Sequence, residues 1–209
     1  MERGVFMKRL FVISLAIMML ALNSMVYAEQ NIEWNLTPSD WATEDVRRAD
    51  ELGILPDKIS GYVNAMPREN FCDILYGLLC KITTGEIEKI DAPNVFMDID
   101  KISVNYLAAI DVVNGVEKNV FAPDKLLTRE QAATILDRTI KHLNIEKDFN
   151  EKSKFIDDDN ISEWAKESVY RMLNMNIMIG DDKGCFNPQK YCTTEEMIVA
   201  IMRVYEMSL

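Results

Sequence analysis

The sequence predicts an all-α protein in which one helical hairpin is repeated three times. The first observation is an apolar stripe with the 3.6-residue period of an α-helix, which occurs in three separate segments. The second is that two of these three helices begin with the same capping motif. The third is that no stretch alternates apolar and polar residues for long enough to indicate a sheet. Because one short helix pair cannot bury its stripe alone, we expect the three copies to pack on one another.

The second helix of each copy has the clearest pattern. Apolar residues recur at i, i+3, i+4, i+7 and i+8, which places them on one face of a helix. The three stripes begin at Phe71, Ala132 and Met197. Pro67 begins the first of these helices, where a missing N–H costs little. The other two begin with capping boxes, formed by Thr128 with Gln131 and by Thr193 with Glu196.

The first helix of each copy is shorter, and a repeated signal marks its end. Apolar residues at helical spacing predict helices over about 42–52, 104–112 and 165–173. Gly53, Asp111 and Asn176 follow or end them. A left-handed turn favours Gly first and then Asn or Asp, so three different residue types meet one backbone requirement.

Residues 1–28 are predicted to be a secretory signal peptide that is cut after Ala28. Arg3, Lys8 and Arg9 precede an apolar run, and small residues stand before the predicted cut. An uncleaved membrane anchor is the alternative, but a membrane span needs roughly 20 apolar residues and this run is shorter. The signal and the three copies account for the chain, so we expect a module without a catalytic domain.

Composition excludes several classes of function. The formal net charge of −11 argues against a nucleic-acid partner, because such binding depends on cations that neutralise phosphates. The sequence has one histidine and no CxxC pair, so no metal site is expected. It also lacks the common hydrolase and phosphate-loop motifs, so neither an enzyme nor a cofactor is expected. Cys185 and Cys192 flank a short loop and could pair, while buried free thiols are the alternative for all four cysteines.

A set of short motifs recurs in the same order in the copies. Copy two contains Phe96-Met97-Asp98, Gly115, Phe121-Ala122-Pro123 and Thr128-Arg129-Glu130-Gln131. Copy three contains Phe155-Ile156-Asp157, Trp164-Ala165, Gly180, Phe186-Asn187-Pro188 and Thr193-Thr194-Glu195-Glu196. Copy one contains Trp41-Ala42, Gly53-Ile54 and Pro67-Arg68-Glu69-Asn70. This ordered set resembles the S-layer homology domain family over about residues 34–207.

The resemblance implies a fold and a function. It implies a pseudo-threefold trefoil around a central helix bundle, with repeats at 34–83, 94–144 and 154–207. It also implies a secreted, non-catalytic module at the cell surface of a Gram-positive-type bacterium. Such modules bind anionic, often pyruvylated, secondary cell-wall polysaccharide or a peptidoglycan-linked polymer. The alternative is a secreted helical module that binds another cell-surface protein and whose glycan pockets have decayed.

The site residues implied by the resemblance are taken over by position. They are Arg68 and Arg129 against the anionic sugar, Gly115 and Gly180 in the nearby loops, and Trp41 and Trp164. Core packing or a helix staple is the alternative for the tryptophans, and a solvated side chain or an inter-repeat ion pair is the alternative for the arginines. Thr194 replaces the arginine of copy three, so at most two of three pockets should have one. We expect the Arg68 pocket to be the weaker, because the loop of copy one is short.

We predict that the exported protein begins at Glu29. The basic start, the short apolar run and the small residues before Ala28 are the features that signal peptidases recognise. The intact mass of the protein isolated from the host's envelope or medium measures the cut directly. A mature form that still begins at Met1 would contradict the prediction.

Overall fold

The helices of this protein are joined by long irregular loops. The computed structural model describes residues 36–59, 61–83, 87, 92–145 and 153–209, so the predicted signal peptide lies outside the described residues. Within them the α-helices are α1 Thr43–Glu51, α2 Arg68–Ile82, α3 Ile102–Ala109, α4 Arg129–His142, α5 Lys166–Asn174 and α6 Thr194–Met207. A 3-10 turn covers Asp158–Asn160. Only isolated bridges, and no strands, occur in the described part of the chain, and the all-α prediction is confirmed.

The helix ends follow the local rules that the sequence indicated. Thr128 and Thr193 form complete capping boxes at the starts of α4 and α6. The residues after the first helices all adopt the left-handed backbone conformation, which explains why Gly, Asp and Asn share one position. Their φ angles are 71° at Gly53, 58° at Asp111 and 58° at Asn176.

The predicted stripes of α2, α4 and α6 form the core of residues 38–209. Helix α6 is buried on most of its surface, with Ile198, Ala200 and Ile201 all at most 2% exposed. It packs against both α2 and α4, so the second helices of the three copies meet at the centre. A helix that is apolar on nearly all sides is stable only when other elements surround it.

Extensive helix–helix contacts run from one copy to the next. Helix α2 packs on α3, α4 packs on α5, and α6 packs on α1, so each second helix contacts the first helix of the following copy. The sequence predicted hairpins in which the two helices of one copy pack together. In the described residues the extensive helix–helix contacts instead join different copies. The reason is the connection between the two helices of one copy, which runs over 52–67, 110–128 and 175–193. Connections of this length exceed the roughly 2–8 residues usual between packed helices.

A closed ring of backbone hydrogen bonds joins the three long loops. The N–H of Met66 donates to the carbonyl of Cys192 at 2.8 Å, and the N–H of Cys192 donates to the carbonyl of Leu127 at 2.9 Å. The N–H of Leu127 donates back to the carbonyl of Met66 at 3.0 Å. All three residues are fully buried, so none of these groups could bond to water instead. The ring therefore requires all three copies.

A second cycle is formed by glutamates in the first turns of α2, α4 and α6. Glu130 accepts hydrogen bonds from the backbone N–H and the hydroxyl of Ser162, both at 3.0 Å, and from Gln189 at 2.7 Å. Glu195 binds Ser39 in the same way, at 2.8 Å for each bond. Each glutamate thus holds the start of the first helix of the next copy. Glu69 is the third member, and its partner is the ammonium group of Lys101.

We predict that Glu130→Ala lowers the free energy of unfolding by about 2–4 kcal/mol, because it removes three bonds to a charged, buried acceptor and leaves the partly buried donors of Ser162 unpaired. Glu130 is only 3% exposed. Urea unfolding followed by circular dichroism measures the change. Glu163→Ala is the matched control, because this neighbour of Ser162 has a side chain that is 93% exposed. It should change stability by less than about 0.5 kcal/mol, and equal effects of the two variants would contradict the assigned role of Glu130.

Candidate binding grooves between the copies

Two equivalent grooves lie between the copies. The first, the Arg68 groove, has a volume of about 450 Å³ and is lined by Arg68, Gly115, Lys125, Gln131, Arg138 and Trp164, among others. The second, the Arg129 groove, has a volume of about 260 Å³ and is lined by Arg129, Gly180, Lys190, Glu196, Arg203 and Trp41, among others. The volume of the Arg68 groove lies within the range of about 300–1,000 Å³ usual for ligand sites, and that of the Arg129 groove lies just below it.

All six residues that the resemblance pointed to line these two grooves. Each groove draws on all three copies: Arg68 comes from copy one, Gly115 from copy two and Trp164 from copy three. The arginine of one copy thus faces the glycine loop of the next. The short loop of copy one is therefore no reason to expect a weaker Arg68 pocket, because Arg68 binds the full-length loop of copy two.

The arginines are buried and bind the loop backbone. The Nε of Arg68 donates to the carbonyl of Phe121 at 3.1 Å, and its Nη2 donates to the carbonyl of Asn114 at 2.9 Å. The guanidinium also lies 4.6 Å from the centre of the Phe121 ring, a cation–π contact. With 7% exposure, burial lowers the pKa of Arg68 from its ordinary value. Its Nη1 group has no hydrogen bond within the described residues.

Arg129 repeats this geometry in the second groove. Its Nε donates to the carbonyl of Phe186 at 2.8 Å, and its Nη2 donates to the carbonyl of Ile179 at 3.0 Å. It differs in one contact, an ion pair between Nη1 and Glu196 at 3.8 Å. The solvated alternative is therefore wrong for both arginines, whereas the inter-repeat ion pair exists at Arg129. These bonds also explain why a cation stands at a helix start, where the macrodipole disfavours it.

An aspartate holds each loop that receives an arginine. Asp98 accepts hydrogen bonds from the backbone N–H groups of Phe121 and Ala122, at 2.9 and 2.7 Å. Ala122 has a φ of 58°, a strained conformation for a residue with a side chain, and these bonds help to hold it there. The same N–H donors lower the pKa of Asp98 from its ordinary value of 3.8. Asp157 binds the matching residues of copy three in the same way.

The two glycines are required by close packing inside the loops. A Cβ atom on Gly115 would lie 2.5 Å from the carbonyl oxygen of Val120. A Cβ atom on Gly180 would lie 2.9 Å from a ring carbon of Phe155. Both distances are below normal contact, so any side chain at either position would displace the loop that carries the groove.

The two tryptophans are exposed rather than part of the core. Trp41 is 57% exposed and Trp164 is 58% exposed, so the core-packing alternative is wrong. Each stands two residues after a serine, Ser39 or Ser162, that a glutamate of the preceding copy holds. An aromatic ring fixed at the edge of a groove offers an apolar face together with an indole N–H donor.

Sequence reasoning missed a second layer of cations. Arg138 and Arg203 occupy matched positions on α4 and α6 and line the two grooves. Arg203 donates to the carbonyl of Ile177 at 3.0 Å. With the Asn114 amide turned to the orientation that satisfies both of its ends, its oxygen accepts from Arg138 at 3.0 Å. The signal was present, since each of these arginines stands nine residues after the first residue of its helix. Lys125 and Lys190 add a further matched pair of exposed cations.

The third equivalent position lacks every one of these groups. Thr194 replaces the motif arginine, Gly77 replaces the helix arginine, and copy two has no tryptophan. A Cβ atom on Gly77 would lie 2.1 Å from the carbonyl oxygen of Ile54, so backbone is packed where the side chain of Arg138 or Arg203 would lie. An acid, Asp73, accepts from the hydroxyl of Ser103 at 2.7 Å. An arginine at position 194 alone would therefore not complete a third groove.

Three further features concern the cysteines, a metal site and a membrane-spanning helix. All four cysteines are free thiols, and burial raises the pKa of Cys72 and Cys192 to about 12, which keeps them unreactive at neutral pH. Within the described ranges, no group of three or more His, Cys, Asp and Glu residues could hold a metal ion. None of the helices in those ranges has the length and apolar character needed to cross a membrane.

Fold and grooves together define a helical repeat module with two binding grooves between its copies. The family model of the S-layer homology domain matches residues 98–133 and 154–198. These two segments lie within copies two and three, so the resemblance that their motifs predicted is confirmed there. Domains of this family are non-catalytic modules that anchor proteins at the bacterial cell surface by binding cell-wall polymers.

Two curated proteins share a segment with this chain. An endoglucanase of Bacillus sp. (strain KSM-635) is 30% identical over 86 residues, which is 41% of this chain and 9% of that enzyme. Exoglucanase XynX of Acetivibrio thermocellus is 31% identical over 98 residues, which is 46% of this chain and 9% of that enzyme. This chain thus spans only 9% of the length of either enzyme.

We predict that Asp98→Asn destabilises the protein at pH 6 but has progressively less effect as the pH falls below about 4. The pKa of Asp98 is lowered in the folded state, so its contribution is complete above the ordinary value of 3.8. That contribution is lost as the pH falls through the lowered value. Urea unfolding of both proteins between pH 2 and pH 6 measures the difference. A difference that stays constant over this range would contradict the role of the ionised carboxylate.

Proposed function

We propose that this protein is a non-catalytic anchoring module that binds an anionic, pyruvylated secondary cell-wall polysaccharide at the surface of a Gram-positive-type bacterium. The observation that carries the proposal is the meeting of an arginine, a glycine loop and an exposed tryptophan in each of two equivalent grooves. These residues are distant in sequence and come from three copies. Their meeting twice in the same arrangement supports a shared ligand rather than two unrelated surface features.

The chemistry of the grooves fits a sugar that carries a carboxylate. An exposed tryptophan can cover the apolar face of a sugar ring. Beside it, the unused donors of the buried arginine and the two further cations supply charge-assisted hydrogen bonds to an anion. Since the chain has a net charge of −11, long-range attraction to an anionic polymer is absent. Binding must therefore depend on contacts within the grooves, because salt screens charges beyond about 8 Å at physiological ionic strength.

We also propose that residues 34–83 form a third S-layer homology domain. The family model matches the other two copies only. Support for the first comes from its place in both cycles, since Met66 is a member of the backbone ring and Glu69 binds the start of the next copy. Its left-handed residue Gly53 and its buried Arg68 also match those of the other copies.

Binding to another cell-surface protein is the second candidate function. Met97 and Ile156 occupy the middle position of the two Phe-x-Asp motifs, and each is 79% exposed. Exposed apolar side chains of this size suit a protein partner better than a hydrated polymer. The third position, which lacks the groove chemistry, also leaves room for a role other than glycan binding.

We predict that the double variant Trp41→Ala, Trp164→Ala binds purified, protein-free cell walls at least about fivefold more weakly than the wild type. Aromatic contacts of this kind contribute roughly 0.5–1.5 kcal/mol each beyond area burial. Both side chains are exposed, so folding should be retained. Arginine variants are less informative, because Arg68 and Arg129 also hold the loops.

Co-sedimentation with the walls measures binding, and circular dichroism checks folding. Tyr191→Ala is the matched control, since this ring is 50% exposed but lies outside the linings of both grooves. Its binding should equal that of the wild type. If the double variant binds walls as well as the wild type, the grooves are not the site. If the wild type itself binds only walls that retain their proteins, protein binding is the correct function.

A further inference from the structure

The two grooves differ in charge although their cations match. Arg68, Lys125 and Arg138 line the first groove, and no aspartate or glutamate lines it. The same three cations occur at the matched positions of the Arg129 groove, but Glu196 and Asp181 line it as well. The residues of the Arg68 groove at those two positions are Gln131 and Val116.

Glu196 pairs with two cations of its own groove, Lys190 and Arg129. One carboxylate oxygen accepts from the backbone N–H of Thr193 at 3.0 Å and completes the capping box. The other lies 3.1 Å from Nζ of Lys190 and 3.8 Å from Nη1 of Arg129. This second oxygen therefore sits where the carboxylate of a bound ligand would pair with the same two groups.

Gln131 leaves the matching cations without such a partner. Its Oε1 accepts from the backbone N–H of Thr128 at 3.2 Å, so the side-chain nitrogen remains as a neutral donor. Among the described residues, no ion pair involves Arg68, Lys125 or Arg138. The nearest acid to act on Arg68 is Asp98, and both of its oxygens already accept backbone N–H groups.

We infer that the difference between Gln131 and Glu196, which stand at matched positions, gives the two grooves different ligands. The Arg68 groove binds the carboxylate-bearing sugar, and the Arg129 groove binds an uncharged sugar. The inference rests on the proposed glycan-binding function and deepens it. An anion entering the Arg129 groove meets a carboxylate that repels it and that already pairs with Arg129 and Lys190, two of the three cations there. An uncharged sugar meets no such repulsion and can lie against the ring of Trp41.

A reciprocal exchange of these two residues tests the inference with little risk to the fold. Glutamate and glutamine both complete a capping box, so Gln131→Glu and Glu196→Gln each keep the helix start. The side chains have nearly the same shape, and each variant changes one charge in one groove. Asp181 remains in the Arg129 groove, and it accepts bonds from its own loop. The gain from Glu196→Gln should thus be smaller than the loss from Gln131→Glu.

The probes are a methyl hexopyranoside that carries a 4,6-pyruvate ketal and the methyl ester of the same compound, which has no charge. Each groove contains its own reporter, the indole N–H of Trp164 or of Trp41. Nuclear magnetic resonance of the ¹⁵N-labelled protein follows both during a titration, with Trp41→Phe and Trp164→Phe used to assign the signals. The ratio of acid to ester affinity is then obtained separately for each groove.

We expect the acid to bind the Arg68 groove about ten- to a hundredfold more tightly than the ester, the range for charge-assisted hydrogen bonds. In the Arg129 groove the ratio should be near one or below. Gln131→Glu should reduce the first ratio at least about tenfold, and Glu196→Gln should raise the second. Equal ratios in the two grooves, unchanged by the exchange, would overturn the inference while leaving sugar binding intact. If neither indole signal responds to either compound, the proposed function is wrong and the inference fails with it.

Discussion

The backbone ring of Met66, Leu127 and Cys192 is the constraint on which the rest of the structure depends. Three buried N–H groups find acceptors only when the loops of all three copies meet. Once they meet, each second helix begins at a set position relative to the loop of the next copy. That placement brings Arg68 to the carbonyl of Phe121 and Arg129 to the carbonyl of Phe186. The grooves are thus a result of how the copies are joined.

The motif arginines combine two roles in one side chain. A guanidinium has five N–H donors in a planar fork, and two of them are used here to tie the neighbouring loop. In the proposed function the remaining donors of Arg68 bind the ligand, together with part of its positive charge. Lysine could not do both, because a single ammonium lacks the rigid fork that reaches two carbonyls and stacks on a ring. The same side chain thereby links the stability of the loop to the chemistry of the groove.

Much of this architecture could be read from the sequence, because local rules govern it. The stripes of α2, α4 and α6, their caps and the left-handed residues after the first helices all depend on neighbours within a few positions. Motif order identified the six groove residues, but it could not say which copy supplies which residue to a groove. That depends on the pairing of α2 with α3 and of α4 with α5, which joins residues far apart along the chain. For the same reason the hairpin pairing and the assignment of Arg68 to the loop of its own copy were wrong, and Arg138 and Arg203 were overlooked.

The glutamate cycle has a consequence for how the chain can be connected. Glu195 near the end of the sequence holds Ser39 near its beginning in the same way that Glu130 holds Ser162. The Glu195–Ser39 contact between copies three and one is therefore equivalent to the Glu130–Ser162 contact between copies two and three, although no peptide linker joins copy three to copy one. The contacts between the copies therefore do not depend on which copy comes first in the chain. A circular permutant that starts at copy two and ends with copy one would contain the same three junctions, the same two grooves and the same incomplete third position.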